Sequence, residues 1–84
     1  MKLTYDPRYN IAYLRLCKKK GTVETIHLSD ELNVDIAPDG TVSGIELLNA
    51  NKQLQGEDRG KFVLINEALG ERQEVPLKKQ LKIS

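Results

Sequence analysis

Four groups of side chains in this 84-residue sequence could do chemistry. The first is acidic: Asp35, Asp39 and Glu46 flank one predicted hairpin, and Asp30 and Glu31 stand at its entrance. Converging carboxylates would hold a hard divalent cation, or divide into an acid and a base. No calcium-loop spacing is present, so Asp39 is expected to make a turn. Asp35 and Glu46 are expected on a solvent face, with no metal bound. The second group is the lone Cys17 and the lone His27. Imidazole can take a proton from a thiol near neutrality, and Lys18, Lys19 and Lys20 would favour the thiolate. Nothing in the sequence places the two side by side, and no triad is marked. One cysteine and one histidine also exclude an intrachain disulfide and an ordinary zinc cluster. The third group, Lys18, Lys19 and Lys20 with Lys78, Lys79 and Lys82, could meet phosphates. Aromatic residues make up only 5% of the chain, too few for base stacking. No nucleic-acid motif or phosphate loop is visible, so nucleic acid is disfavoured. The fourth group is Ile11, Tyr13 and Arg15, which share one strand face with the composition of a protein interface. The chain's own helix or tail could equally cover that face. No catalytic residue, metal site or cofactor is assigned.

These residues are positioned by short strands. Residues 2–5 alternate polar and apolar until Asp6-Pro7 breaks the run. Residues 11–17 read as a second strand, with Ala12, Leu14 and Leu16 on the face opposite Ile11, Tyr13 and Arg15. Residues 22–28, 31–37 and 41–48 follow as further strands. Pro38-Asp39-Gly40 is a hairpin turn, and Gly44 suggests a bulge or a close backbone approach. The predicted core face carries Leu3, Ala12, Leu14, Leu16, Leu32, Val34, Ile36, Ile45 and Leu47. Asn49 or Asn51 could cap a short helix through Leu54. Residues 55–60 are polar and loop-like. In the tail, Phe62, Ile65 and Leu69 fit one helical face, while residues 62–66 and 73–77 fit two strands. The β-rich Phe-Val-Leu-Ile run and Pro76 favour the hairpin. The fold class is therefore mainly β (α+β): a small antiparallel β-meander, a short helix and a C-terminal hairpin, in a single domain over residues 1–84.

The blocks Tyr5-Asp6-Pro7 and Asn10-Ile11-Ala12-Tyr13-Leu14-Arg15-Leu16 resemble the opening of the bacterial and archaeal domain-of-unknown-function family 2283. The later blocks Val34-Asp35-Ile36, Asp39-Gly40 and residues 42–50 are similar to that family too. The resemblance covers about residues 1–54 and leaves residues 55–84 as a C-terminal extension. Members commonly carry Asp and Ala where this chain has Asn10 and Ile11, and Ser where Asn51 stands. The resemblance implies a small β-meander and a short helix, with no established activity. It also implies an antitoxin-like or accessory role beside a small protein partner, by gene association.

Composition sets the remaining expectations. Charged residues are 30% of the chain but nearly cancel, at a formal net charge of +1. Such a surface has no global field for nucleic acid or an anionic membrane. No secretory signal and no membrane-length apolar run is seen, so a cytoplasmic location is expected. A chain this short, without disulfide or metal, has a marginal core of its own. The reading is a small non-catalytic interaction protein that works as a homodimer. The alternative is a small hydrolase or nucleic-acid enzyme using the acidic hairpin or a Cys17/His27 pair.

Overall fold

The computed structural model describes residues 1–18 and 21–81. β1 (Lys2–Asp6) and β2 (Ile11–Arg15) form an antiparallel hairpin. Its turn begins where Asp6 accepts the Arg8 backbone N–H at 2.9 Å. It closes at Asn10, which lies in the left-handed region at φ 55°. β3 (Glu24–Ser29), β4 (Leu32–Ile36) and β5 (Val42–Leu48) follow. Between β4 and β5 the Asp39 carboxylate accepts the Thr41 N–H at 2.9 Å, the turn role expected of it. Gly40 there holds φ 89°, which a side chain would strain.

The five strands form one sheet in the order β1-β2-β5-β4-β3, every neighbour antiparallel. The antiparallel, mainly β architecture is the one read from the sequence. One connection differs from a meander step: the chain leaves β2 for the far edge, and β5 returns to pair with β2. Alternation marks faces but not pairing partners, so this order is invisible in the pattern.

Helix α1 (Ala50–Gln55) follows β5, and its start is held from the β1–β2 turn. Asn10 accepts the Ala50 N–H on its backbone carbonyl at 3.0 Å and the Asn51 N–H on Oδ1 at 2.9 Å. Asn49 makes no side-chain cap, and the Asn51 amide oxygen accepts from Asn10 Nδ2 at 2.7 Å. Asn51 Oδ1 also accepts the Lys52 N–H at 2.9 Å, so the first two free helix donors are satisfied from about 40 residues upstream and the third by Asn51 itself. A 3-10 turn (Asp58–Gly60) leads into the hairpin of β6 (Lys61–Asn66) and β7 (Glu71–Pro76). The tail takes the two-strand form. No helix among the described residues is long and apolar enough to cross a membrane.

The register places Leu3 beside Leu14, Leu14 beside Ile45 and Ile45 beside Val34 on one face. Ala12, Leu47 and Leu32 line up in the next row of the same face. Leu16 departs from the predicted core: β2 ends at Arg15, and Leu16 is 41% exposed. The tail covers one end of the face. Met1, Leu3 and Leu14 line a gap of ≈ 170 Å³ with Phe62, Val75 and Leu77, and Leu81 is buried. The tail therefore packs against the Leu3/Leu14 face, not the Tyr13/Arg15 face. Towards β4, Leu32, Val34, Ile45 and Leu47 are only half-buried. Among the described residues the largest fully buried side chain is Ser43.

Candidate functional site

Strand alternation makes the opposite face polar, and the register arranges it in two rows across all five strands. One row runs Thr4, Tyr13, Glu46, Asn33, His27; the next runs Lys2, Arg15, Gly44, Asp35, Thr25. Tyr13 leans diagonally between the rows and donates its hydroxyl to Asp35 Oδ2 at 2.7 Å. Thr25 donates to Asp35 Oδ1 at 2.6 Å. Asp35 is only 9% exposed, which corrects the expectation of a solvent-facing carboxylate. A carboxylate survives such burial when hydroxyls satisfy its oxygens, and here β2 and β3 each supply one. Gly44 makes this possible. A Cβ at Gly44 would overlap the hydroxyl end of Tyr13, so the glycine leaves room for Tyr13 to reach across β5 to Asp35. The register also slips between Asp35 and Ile36 opposite Ser43, so Gly44 marks both the bulge and the close approach.

Burial raises the Tyr13 pKa above its ordinary value of 10.0, and the hydrogen bond and charge of Asp35 push it the same way. At neutral pH this tyrosine is a donor. The Tyr13–Asp35–Thr25 cluster can lock three strands together; its carboxylate faces its own chain's hydroxyls rather than a cleft.

In the neighbouring row the His27 Nδ1–H donates to Asn33 Oδ1 at 2.8 Å. Asn33 in turn donates to Glu46 Oε1 at 2.9 Å. Cys17 lies beyond β2, where its thiol donates to the Val42 carbonyl at 3.7 Å. β2 and β3 are three strand spacings apart, about 14 Å, so the structure does not bring Cys17 and His27 together. Nor do the acidic residues converge. Asp30 and Glu31 stand at one end of β4 and Asp39 at the other, with Asp35 between them in the polar face. Among the described residues, no group of three His, Cys, Asp or Glu could hold a metal ion.

Lys2, Thr4, Tyr13, Arg15 and Lys18 line an open concavity of ≈ 420 Å³ at the β1–β2 corner. Of the predicted basic group, Lys18 lies here, Lys78 lies against Gly60, Lys79 is exposed beside it in the chain, and Lys19, Lys20 and Lys82 fall outside the described residues. Ile11, Tyr13 and Arg15 do share this face: Ile11 and Tyr13 are half-buried and Arg15 is exposed. Sequence reasoning missed Thr25 as a partner of Asp35 and Asn10 as the helix cap. Both contacts follow from strand pairing and leave no local signal, although a positive-φ asparagine in a turn is a familiar one.

Over residues 2–51 the sequence matches the model of a family described as "Protein of unknown function (DUF2283)". No curated protein matches, and no solved structure does.

Proposed function

The chain belongs to the DUF2283 family, and from that premise we propose that it is a small non-catalytic interaction protein working as a homodimer. One observation carries this reading. The chain exposes 6529 Å², whereas a compact monomer of 9.5 kDa would expose about 5,000 Å². Its radius of gyration is 14.3 Å, against about 12 Å for a compact domain of this length. The molecule is a plate about 20 Å thick, a single sheet with a hairpin attached. Leu28, Leu64, Ile65, Leu69 and Val75 are each more than half exposed, and the hydrophobic effect favours their removal from water. The finer form of the reading is an accessory or antitoxin-like role beside a small protein partner. The first contact surface to consider is the Ile11, Tyr13 and Arg15 face or an open strand edge. Sedimentation equilibrium at micromolar concentration should return twice 9.5 kDa. A clean monomer at high concentration overturns the homodimer.

A further inference from the structure

The apolar surface left open by one chain lies in two separate places. The first is the β6–β7 hairpin. Leu64 is 57% exposed, Ile65 53% and Leu69 68%, and Phe62 and Val75 are also exposed. Phe62 pairs with Val75 and Leu64 with Gln73, so Phe62, Leu64 and Val75 lie on one face of the ribbon. A two-stranded ribbon is at best marginal in water without a layer against it. Near its base, Phe62, Val75 and Leu77 line a gap with Leu3 and Leu14, and Phe62 and Val75 stay 47% and 54% exposed. Beyond the base, its own chain does not cover it.

The second place is the far half of the sheet's apolar face. Ile26, Val34 and Ile45 form one row across β3, β4 and β5, with Leu32 and Leu47 beside them. All five are half-buried rather than enclosed, and Leu28 on the β3 edge is exposed. The tail covers the Leu3 and Leu14 end of this face and leaves the β3–β5 end open.

We propose that each place is covered by the other in a second copy: the β6–β7 hairpin of one chain lies across the apolar β3–β4–β5 face of its partner. The proposal rests on the homodimer reading and deepens it by naming the contact. The arm is long enough to span the face. A six-residue hairpin is about 20 Å long, and a three-strand face is about 14 Å wide. The area is more than sufficient. The excess exposure is about 1,500 Å² per chain, while a stable interface removes about 800 Å² from each partner. Twofold symmetry uses both places twice, arm on face and face under arm. The Tyr13/Arg15 face competes poorly for this role, because Tyr13 is already committed to Asp35 and Gly44.

The test uses the full chain and sedimentation equilibrium. Leu64→Glu changes the arm at an exposed position and should leave the circular-dichroism spectrum intact. It should weaken self-association on the order of tenfold or more. Val34→Lys changes the face and should do the same; Ile26→Lys replaces it if that variant does not fold. Mixing the arm variant with the face variant should restore a dimer, since one intact arm then meets one intact face. Arg15→Glu, on the opposite face, should leave association unchanged. A wild-type dimer that survives Leu64→Glu overturns the arm exchange and leaves the homodimer standing. Two monomeric variants that stay monomeric when mixed also overturn it, in favour of sheet faces stacked on each other. A wild-type monomer at every concentration overturns both readings.

Discussion

Asp35 places a carboxylate in a sheet that would otherwise exclude it, and it is held by two hydroxyls and one missing side chain. Replacing it with alanine leaves the Tyr13 and Thr25 hydroxyls without their acceptor. Denaturant titration of Asp35→Ala is expected to show a loss of about 1–3 kcal/mol. Gly44→Ala should cost a similar amount, about 1–3 kcal/mol, because the new methyl meets the Tyr13 ring. That cost should largely vanish in a Tyr13→Ala background, and a double-mutant cycle measures the coupling. A cycle with purely additive costs would remove Tyr13 as the reason for the glycine. Tyr13 also sets a pH dependence. Its folded pKa is raised above 10.0, so the folded state keeps its proton longer than the unfolded chain does. This adds nothing against stability below about pH 10, and stability falls as pH rises beyond it. Absorbance titration should show one of the three tyrosines ionising late. In Asp35→Asn that tyrosine should move back towards 10.0 but stop short of it, since burial, the larger cause, remains.

Asn10 joins two elements that the chain keeps far apart. Its carbonyl and its side-chain oxygen take the first two N–H groups of α1, while its amide nitrogen reaches Asn51 and Asn49. It does so from φ 55°, where asparagine is tolerated better than most residues. Asn10→Ala loses the cap and strains the turn, so about 1–2 kcal/mol should be lost on denaturation. Asn10→Gly loses the cap but relaxes the backbone, and it should be the milder change. Equal costs for the two would mean that the backbone conformation contributes nothing. At this scale the hairpin of β6 and β7 is the contrast: it has strand pairing and a turn, but little layer of its own.

The whole molecule is a plate with one apolar face covered at one end. Leu14 lies under the tail yet is only half-buried. Leu14→Ala should therefore cost about 2 kcal/mol, the low end for a core leucine. An unchanged denaturation midpoint would mean that this face is not the core. Association adds a dependence that no monomer shows, because a partner that binds only the folded form stabilises it by mass action. The thermal midpoint should rise with each tenfold increase in protein concentration, and Leu64→Glu should flatten that rise. A midpoint independent of concentration in the wild-type chain would count against the homodimer.

What the sequence alone determined is local. Alternation assigned Leu3, Ala12, Leu14, Leu16, Leu32, Val34, Ile36, Ile45 and Leu47 to one face, because side chains on a strand point alternately to its two sides. Turn chemistry marked Pro38-Asp39-Gly40 and the break at Asp6-Pro7, because these residues act on their own backbone. Leu16 fell outside the core since alternation does not say where a strand stops. Tertiary structure decided whatever depends on which strands are neighbours. Pairing β5 with β2 set Gly44 under Tyr13, and pairing β3 with β4 set Thr25 beside Asp35, so a residue that reads as a solvent-facing acid became a buried one. The same pairing parted Cys17 from His27 and brought Asn10 to the helix. Register and strand order are long-range choices, fixed by the summed packing of whole faces, and no window of neighbouring residues contains that sum.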